Sequence, residues 1–242
     1  MVEMSTVITE SRSLPDFLIV GAAKSATTAL FYYLGQHDRV FVPAVKEPRF
    51  FVCQQGCGGR KPPFAVAESV CEREPYLQLF SEARQDQLKG DASTDYLYAH
   101  EKAIPAIQSF YGKRPAPAVV IMLRNPVDRA WSHYNMQVRE GKEPLAFQEA
   151  VRDETLRARL EDGWPMSFDY LGYGRYAGQV SAYLQAFERV HVCWFDEFQR
   201  QPGTVVNGIL QFLGLDPIDE LDTRARYNVS GRPKSALHGV VT

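Results

Sequence analysis

The sequence predicts an α/β fold: a single domain with a mainly parallel central sheet flanked by helices. Three observations lead there. Strand and helix patterns alternate from start to finish, as in doubly wound domains. Two unbroken apolar runs, Phe17-Leu18-Ile19-Val20 and Ala118-Val119-Val120-Ile121-Met122-Leu123, read as strands covered on both faces. No internal repeat, low-complexity tract or long linker divides the chain, and 242 residues, 45% hydrophobic and 23% charged, suffice for one sizeable core. That composition excludes a disordered chain, a fibre or a small disulfide scaffold.

The elements follow in order. A flexible segment is expected over 1–14 and the domain over 15–242. The first strand ends at Gly21, a short loop runs from Ala22 to Ala26, and Thr27 or Thr28 is expected to cap a helix. Leu30, Phe31 and Leu34 give that helix its apolar stripe, and Gly35 stops it. A turn-rich stretch from Val42 to Pro63 precedes a helix expected over Tyr76 to Ala83, a short strand before Gly90-Asp91-Ala92-Ser93, and a helix from His100 to Tyr111. The second apolar strand ends at Arg124-Asn125, and Pro126 fits the first turn of the next helix. Helices are expected over Leu145–Leu160, Arg175–Phe187 and Gly203–Leu213, with a strand over Val190–Phe195. Asp222 to Thr242 shows no clear period.

Twenty-seven basic residues against 29 acidic ones leave a formal charge of −2, so no global field draws nucleic acid or an anionic membrane. Any anion site must be local. No apolar run approaches the roughly 20 residues that span a bilayer, and the first sixteen residues lack a signal peptide's apolar core, so cytoplasm is the expected compartment. Four cysteines, Cys53, Cys57, Cys71 and Cys193, contain no C-x-x-C pair, and reduced thiols are expected. Cys53 and Cys57 sit four apart, yet none of the histidines at 37, 100, 133, 191 and 238 completes a zinc set, so no metal is expected.

Ligands of open α/β sheets gather beyond the carboxyl ends of the strands. There the segment Gly21-Ala22-Ala23-Lys24-Ser25-Ala26-Thr27-Thr28 sets backbone N–H groups, a lysine and hydroxyls at a helix N-terminus, which favours an anion. The arrangement is P-loop-like without being a Walker A loop: Lys24 follows Ala23, and only two residues separate it from Gly21. A surface lysine in a connecting turn is the competing reading.

Several segments resemble a known family. Pro15-Asp16-Phe17-Leu18-Ile19-Val20-Gly21, Lys24-Ser25-Ala26-Thr27-Thr28, Lys46-Glu47-Pro48-Arg49-Phe50-Phe51, Arg124 through Tyr134, and Asn228-Val229-Ser230-Gly231-Arg232-Pro233-Lys234 are similar, in this order, to sulfotransferases that use 3′-phosphoadenosine 5′-phosphosulfate (PAPS), especially the heparan-sulfate-type and related bacterial branch. The resemblance implies that Lys24 supports charge growing on the leaving phosphate, which preorganised donors do best. It implies that Ser25, Ala26, Thr27 and Thr28 cradle the 5′-phosphosulfate, that Arg124 and Ser132 hold the 3′-phosphate, and that Ser230, Gly231, Arg232, Pro233 and Lys234 close over the nucleotide. PAPS is then the co-substrate, with a small-molecule or carbohydrate acceptor as the partner. The family usually has glycine at the position of Ala26, so a looser approach or a narrower φ range is expected there.

Transfer to a hydroxyl or amine calls for a general base, and Glu47 is the candidate. Pro43, Pro48, Phe50 and Phe51 are expected to raise its pKa, and the resemblance puts the base at this motif position. Pairing of Glu47 with Lys46 or Arg49, and of Arg124 with Asp128, are the plainer readings. His133 ranks below Glu47 because its helical neighbour Ser132 points roughly 100° away. Asp91 sits at a strand end, where it either touches the acceptor or caps a turn. Residues 52–75 and 138–170 are expected to shape the acceptor cleft, and Tyr170, Tyr173 and Tyr176 read as cleft lining or as core. Two other functions compete: a kinase-like phosphotransferase sharing the strand, loop and helix, and a nucleotide-binding protein without transfer activity. Related sulfotransferases usually continue past the Gly-Arg step, whereas Thr242 follows Lys234 by eight residues, so a short or truncated C-terminus is expected.

Overall fold

The computed structural model describes residues 14–53 and 69–224. The two apolar runs form strands β1 (Phe17–Gly21) and β4 (Ala118–Leu123), and every residue of both is buried. They are joined by β2 (Val40–Phe41), β3 (Leu88–Ala92) and β5 (Val190–Trp194) in the order β2-β3-β1-β4-β5, all pairs parallel. Parallel neighbours need crossover connections, which helices supply here. The chain runs from β1 out to the edge at β2, returns to β3, and then crosses to β4 on the other side of β1. The direction of winding therefore reverses at β1, the point at which doubly wound sheets open a crevice.

Alternate residues of the central strands supply two cores. Phe17, Ile19, Val120 and Met122 pack with Leu30, Phe31 and Leu34 of α1 (Thr27–Leu34) and with Val206, Ile209 and Leu210 of α10 (Pro202–Leu213). On the opposite face Leu18, Val20, Val119 and Ile121 meet Tyr76 of α2 (Arg73–Gln78), Tyr96 of α3 (Asp95–Tyr98), Ile107 of α4 (His100–Tyr111) and Tyr183 of α8 (Tyr176–Ala186). Leu14 is buried in this second core, so packing reaches one residue into the segment expected to be flexible. A satellite cluster of Ala130, Ala150, Phe168 and Tyr170 lies beneath α5 (Pro126–Arg139) and α6 (Phe147–Ala150).

Several expected boundaries move. The helix placed over Tyr76 to Ala83 spans Arg73–Gln78 and then breaks into turns. The helix expected over Leu145–Leu160 is two, α6 and α7 (Asp153–Glu161), because Arg152 is extended and starts a new helix with Asp153 and Glu154 in its first turn, where the dipole favours carboxylates. A short α9 (Phe195–Arg200) follows β5 where only a strand was expected. Asn125 caps α5 by accepting from the Val127 and Asp128 amides at 2.9 and 3.3 Å, with Pro126 in the first turn as expected.

The cysteines correct the expectation of reduced thiols: Cys53 and Cys71 form a disulfide with Cα atoms 5.4 Å apart, an ordinary spacing for one. No local spacing signals this pair. Tertiary packing brings the two together, since the Val70 amide bonds the Pro48 carbonyl at 2.8 Å, and Phe50 of the 3₁₀ turn Phe50–Val52 stacks on Tyr76. Cys193 is free and buried, and Cys57 lies outside the described residues. Among the described residues no His, Cys, Asp and Glu group is arranged to hold a metal, and no helix is long and apolar enough to cross a membrane.

Ile121 is fully buried between β1 and β5, so Ile121→Ala should lower stability by about 2–5 kcal/mol. The check is a urea titration, with the midpoint falling and the slope unchanged.

Candidate active site

Two loops leave the carboxyl edge of the sheet, one from β1 at the reversal point and one from the edge strand β2. The first joins β1 to α1. The Ala22 amide bonds the Met122 carbonyl at 2.7 Å, and the chain then places Lys24 at φ 67° and Ala26 at φ 60°. Ala26 is the N-cap of α1 and makes no side-chain capping bond, while Thr27 and Thr28 belong to the first helical turn. The threonines therefore do not cap the helix as expected, and the alanine adopts the left-handed geometry that a narrower φ range had been expected to deny it.

Lys24 reaches across to α5, where its Nζ lies 3.3 Å from Met136 Sδ. Its pKa is lowered, first by burial and then by Arg139 and Arg124, against the opposing pull of Glu140 and Glu47. A thioether is a weak acceptor that holds an ammonium group without neutralising it. Arg124, at the end of β4, donates from Nη1 to the Lys24 carbonyl at 3.0 Å and lies over the Phe195 ring at 4.4 Å. It thus braces the lysine loop in place of the alternative pairing with Asp128.

Two hydroxyls close to these cations, Ser25 Oγ and Tyr176 OH, and a third on α5, Ser132 Oγ, are buried without a hydrogen-bond partner among the described residues. The Tyr176 hydroxyl approaches Ser25 and Arg124 without meeting hydrogen-bond geometry. Buried orphan donors are rare and costly, and here they accompany a lysine with no carboxylate bound to it. This donor set fits a multiply charged anion such as a nucleotide carrying phosphate groups at two positions. Tyr176 was missed as a member of this set, since its spacing from Tyr173 signalled only core or cleft. Tyr170 and Tyr173 are core residues, 1% and 2% exposed. Ser230, Gly231, Arg232, Pro233 and Lys234 lie outside the described residues.

The second loop carries Glu47 and Arg49 at φ 59° and 55°. Glu47 pairs with Lys46 Nζ at 2.8 Å and Arg49 Nη2 at 3.0 Å, and accepts from Thr94 Oγ1 at 3.3 Å. Arg49 also pairs with Asp95 through Nε at 2.9 Å, and Tyr173 OH donates to the same carboxylate at 2.8 Å. These pairs reverse the expected pKa shift. Burial pushes the Glu47 carboxyl upward, but Lys46 and Arg49 together outweigh it and hold the pKa below the ordinary glutamate value. Asp95 goes the other way, raised by burial despite Arg49. The charge of Glu47 is among those that act on Lys24, after Arg139, Glu140 and Arg124.

Two other expected positions turn inward. His133 is buried, its Nδ1 accepting from Arg129 Nη1 at 3.1 Å, while Arg129 Nη2 donates to the Tyr170 carbonyl. Burial first, then Arg129 and Lys24, lowers its pKa far below the usual histidine value, leaving a neutral core imidazole. Asp91 neither reaches an acceptor nor caps a turn: it has no exposed surface and accepts bonds from three hydroxyls. Within the stretch 138–170, Glu143 forms a buried pair with Arg159 at 2.6 Å and accepts from Tyr170 OH at 2.8 Å, which ties that region to its own small core. Most of 52–75 lies outside the described residues.

Comparison with known proteins gives a consistent picture. A family model described as "Sulfotransferase family" matches residues 15–220. The crystal structure of a sulfotransferase from Alicyclobacillus acidocaldarius superposes with a TM-score of 0.77 and 34% sequence identity, covering 88% of this chain and 86% of that one. The bifunctional heparan sulfate N-deacetylase/N-sulfotransferase 1 of Caenorhabditis elegans is 26% identical over 227 residues, 90% of this chain and 24% of that protein. Human carbohydrate sulfotransferase 15 is 23% identical over 282 residues, 92% of this chain and 48% of that protein. The chain thus spans about a quarter of the length of the first of these curated relatives.

Because Arg49 holds the Glu47 pKa down against burial, Arg49→Ala should raise it, and a carboxyl-carbon NMR titration reads the shift directly. An unmoved titration would leave Lys46 as the controlling cation.

Proposed function

The chain belongs to the sulfotransferase family, and from that premise we propose that it transfers a sulfuryl group from PAPS to a hydroxyl, in preference to an amine, of a carbohydrate or small metabolite. The observation that carries this reading is the meeting of Lys24, bound to no carboxylate, the Arg124 guanidinium and the orphan Ser25 hydroxyl at the loop before α1, with the orphan Ser132 hydroxyl on α5. The donor supplies the sulfuryl group and departs as 3′-phosphoadenosine 5′-phosphate.

Lys24 and the backbone N–H groups of Ser25, Ala26, Thr27 and Thr28 stabilise negative charge as it grows on the bridging oxygen to the departing phosphate. Arg124 and Ser132 bind the 3′-phosphate, the guanidinium offering two parallel donors and the hydroxyl a third. The loop of residues 230–234 is assigned to closing over the nucleotide by family likeness alone. On the acceptor side the new sulfur–oxygen bond forms as the hydroxyl proton passes to Glu47. A carboxylate held ionised between Lys46 and Arg49 is in the form that a base requires. When Glu47 takes the proton its ion pairs weaken, and Arg49 keeps Asp95 as a partner. The names of two relatives, a heparan sulfate N-deacetylase/N-sulfotransferase and a carbohydrate sulfotransferase, support the acceptor class as sugar-like.

Added 3′-phosphoadenosine 5′-phosphate should raise the melting temperature without magnesium, by about 2.7 kcal/mol of stabilisation at a hundredfold excess over its dissociation constant. Stabilisation by magnesium–ATP alone would point to the kinase-like reading instead. Glu47→Gln should keep nucleotide binding and lower transfer from labelled donor to a panel of hydroxylated acceptors by about 10²–10⁴-fold. Lys24→Ala should damage both binding and rate. Nucleotide binding with no transfer to any acceptor in the wild type would leave the third reading, a binding protein.

A further inference from the structure

Asp91 is a buried carboxylate beneath the catalytic edge that the mechanism does not use. It lies on β3, opposite Leu18 of β1, and has no exposed surface. Tyr76 OH and Tyr96 OH donate to its Oδ2 at 2.8 and 3.0 Å, and Ser93 Oγ donates to Oδ1 at 3.0 Å. Each of these three donors also touches one of three consecutive residues in the loop that follows Glu47. Ser93 Oγ accepts from the Arg49 amide at 3.1 Å. The Tyr76 ring stacks on Phe50, centroids 4.1 Å apart and 7° from coplanar. Tyr96 OH accepts from the Phe51 amide at 3.5 Å.

A hydroxyl has one hydrogen, and an ionised carboxylate only accepts. All three hydroxyls must therefore aim their hydrogens at Asp91, which leaves the lone pairs of Ser93 and Tyr96 turned toward the Arg49 and Phe51 amides. A neutral side chain in that place carries a donor of its own and reverses at least one hydroxyl, and reversal at Ser93 or Tyr96 sets a hydrogen against a backbone N–H. We infer that Asp91 is a positioning residue for the Glu47–Arg49 loop, orienting the Ser93 and Tyr96 hydroxyls that accept from the Arg49 and Phe51 amides, anchoring the Tyr76 ring that stacks on Phe50, and touching no reacting group itself. The inference rests on the proposed role of that loop, but its signature is the order of the loop, not turnover.

The groups facing Asp91 are Tyr76 from α2, Tyr96 from α3, Ser93 at the end of its own strand and Lys46 from the loop; Tyr111 of α4 feels its charge but donates to the Pro15 carbonyl at 2.6 Å. Burial raises the Asp91 pKa to about 6 against the pull of these partners. The native state thus keeps the proton between the ordinary value of 3.8 and about 6, where the unfolded chain has lost it. The contribution of Asp91 to global stability therefore falls as pH rises through that window, while the order of the loop rises. The two trends have opposite signs, which separates positioning from general support.

The test is amide hydrogen exchange of the nucleotide-free protein, corrected for the intrinsic effect of pH, with Asp91→Asn and Ser93→Ala. Exchange at Arg49 and Phe51 should quicken by about tenfold or more in Asp91→Asn while β1 and β4 keep their protection. In Ser93→Ala the change should centre on Arg49, and that variant carries the test if Asp91→Asn fails to fold. Wild-type protection at 49 and 51 should fall as pH drops through about 6, and the profile should be flat in Asp91→Asn. Unchanged protection at both amides in the folded variants, or a loss spread equally over β1 and β4, overturns the inference. Turnover retained by Glu47→Gln would remove Glu47 as base and leave the exchange result standing.

Discussion

The site depends on the position of β1 between β3 and β4 in an all-parallel sheet. Parallel pairing puts the carboxyl ends of these three strands side by side, and the reversal of winding at β1 keeps a helix from closing over the gap. The lysine loop leaves β1, Arg124 follows β4, and the end of β3 holds the carboxylate loop through the Glu47 amide to Ala92 carbonyl bond at 3.0 Å. Moving any one of the three strands in register would separate the cations from Glu47. The two apolar cores on the faces of the sheet prevent such a slip, because a shift of one residue exchanges the side chains of each face.

The two loops treat charge in opposite ways. Lys24 is paired with a sulfur atom and braced by its carbonyl, so no bound carboxylate competes with an incoming anion. Glu47 sits between two cations and is kept negative. A direct Lys24–Glu47 ion pair would quench both groups, and here Lys46 and Arg49 occupy the carboxylate instead. Asp95 and Tyr173 hold Arg49 from the far side, linking the carboxylate loop to the 3₁₀ turn Gly172–Gly174 and thence to α8 and Tyr176.

The fold was largely legible because its signals are local. Unbroken apolar runs mark β1 and β4, and Asn125-Pro126 marks the start of α5. The lysine loop was legible for the same reason, as a lysine and hydroxyls at a strand-to-helix junction. What escaped the sequence arises from groups far apart in the chain. The Cys53–Cys71 bond, the lowered pKa of Glu47 and the orphan hydroxyl of Tyr176 beside Ser25 all depend on which elements pack together. Glu47 shows this most clearly. Its apolar sequence neighbours suggested a raised pKa, yet Phe50 and Phe51 turn down into the Tyr76 cluster and leave the carboxylate to Lys46 and Arg49. His133 resembled a base in sequence and proves to be a neutral acceptor for Arg129, because its helical phase turns it into the core against Tyr170 and Tyr173.

Four residues of the two loops, Lys24, Ala26, Glu47 and Arg49, adopt left-handed backbone conformations without being glycine. Each costs an L-residue about 1–2 kcal/mol, and a domain of this kind is stable by only about 5–15 kcal/mol in all. The native state therefore gives up a noticeable part of its thermal margin at the rim of one crevice. Selection for heat resistance alone would drive these positions toward glycine. Glycine at 24, 47 or 49 would delete a charge from the site, so Ala26 is the position where stability can be gained with the least chemical loss. Thermal adaptation and activity thus conflict at three of the four positions and are separable at one.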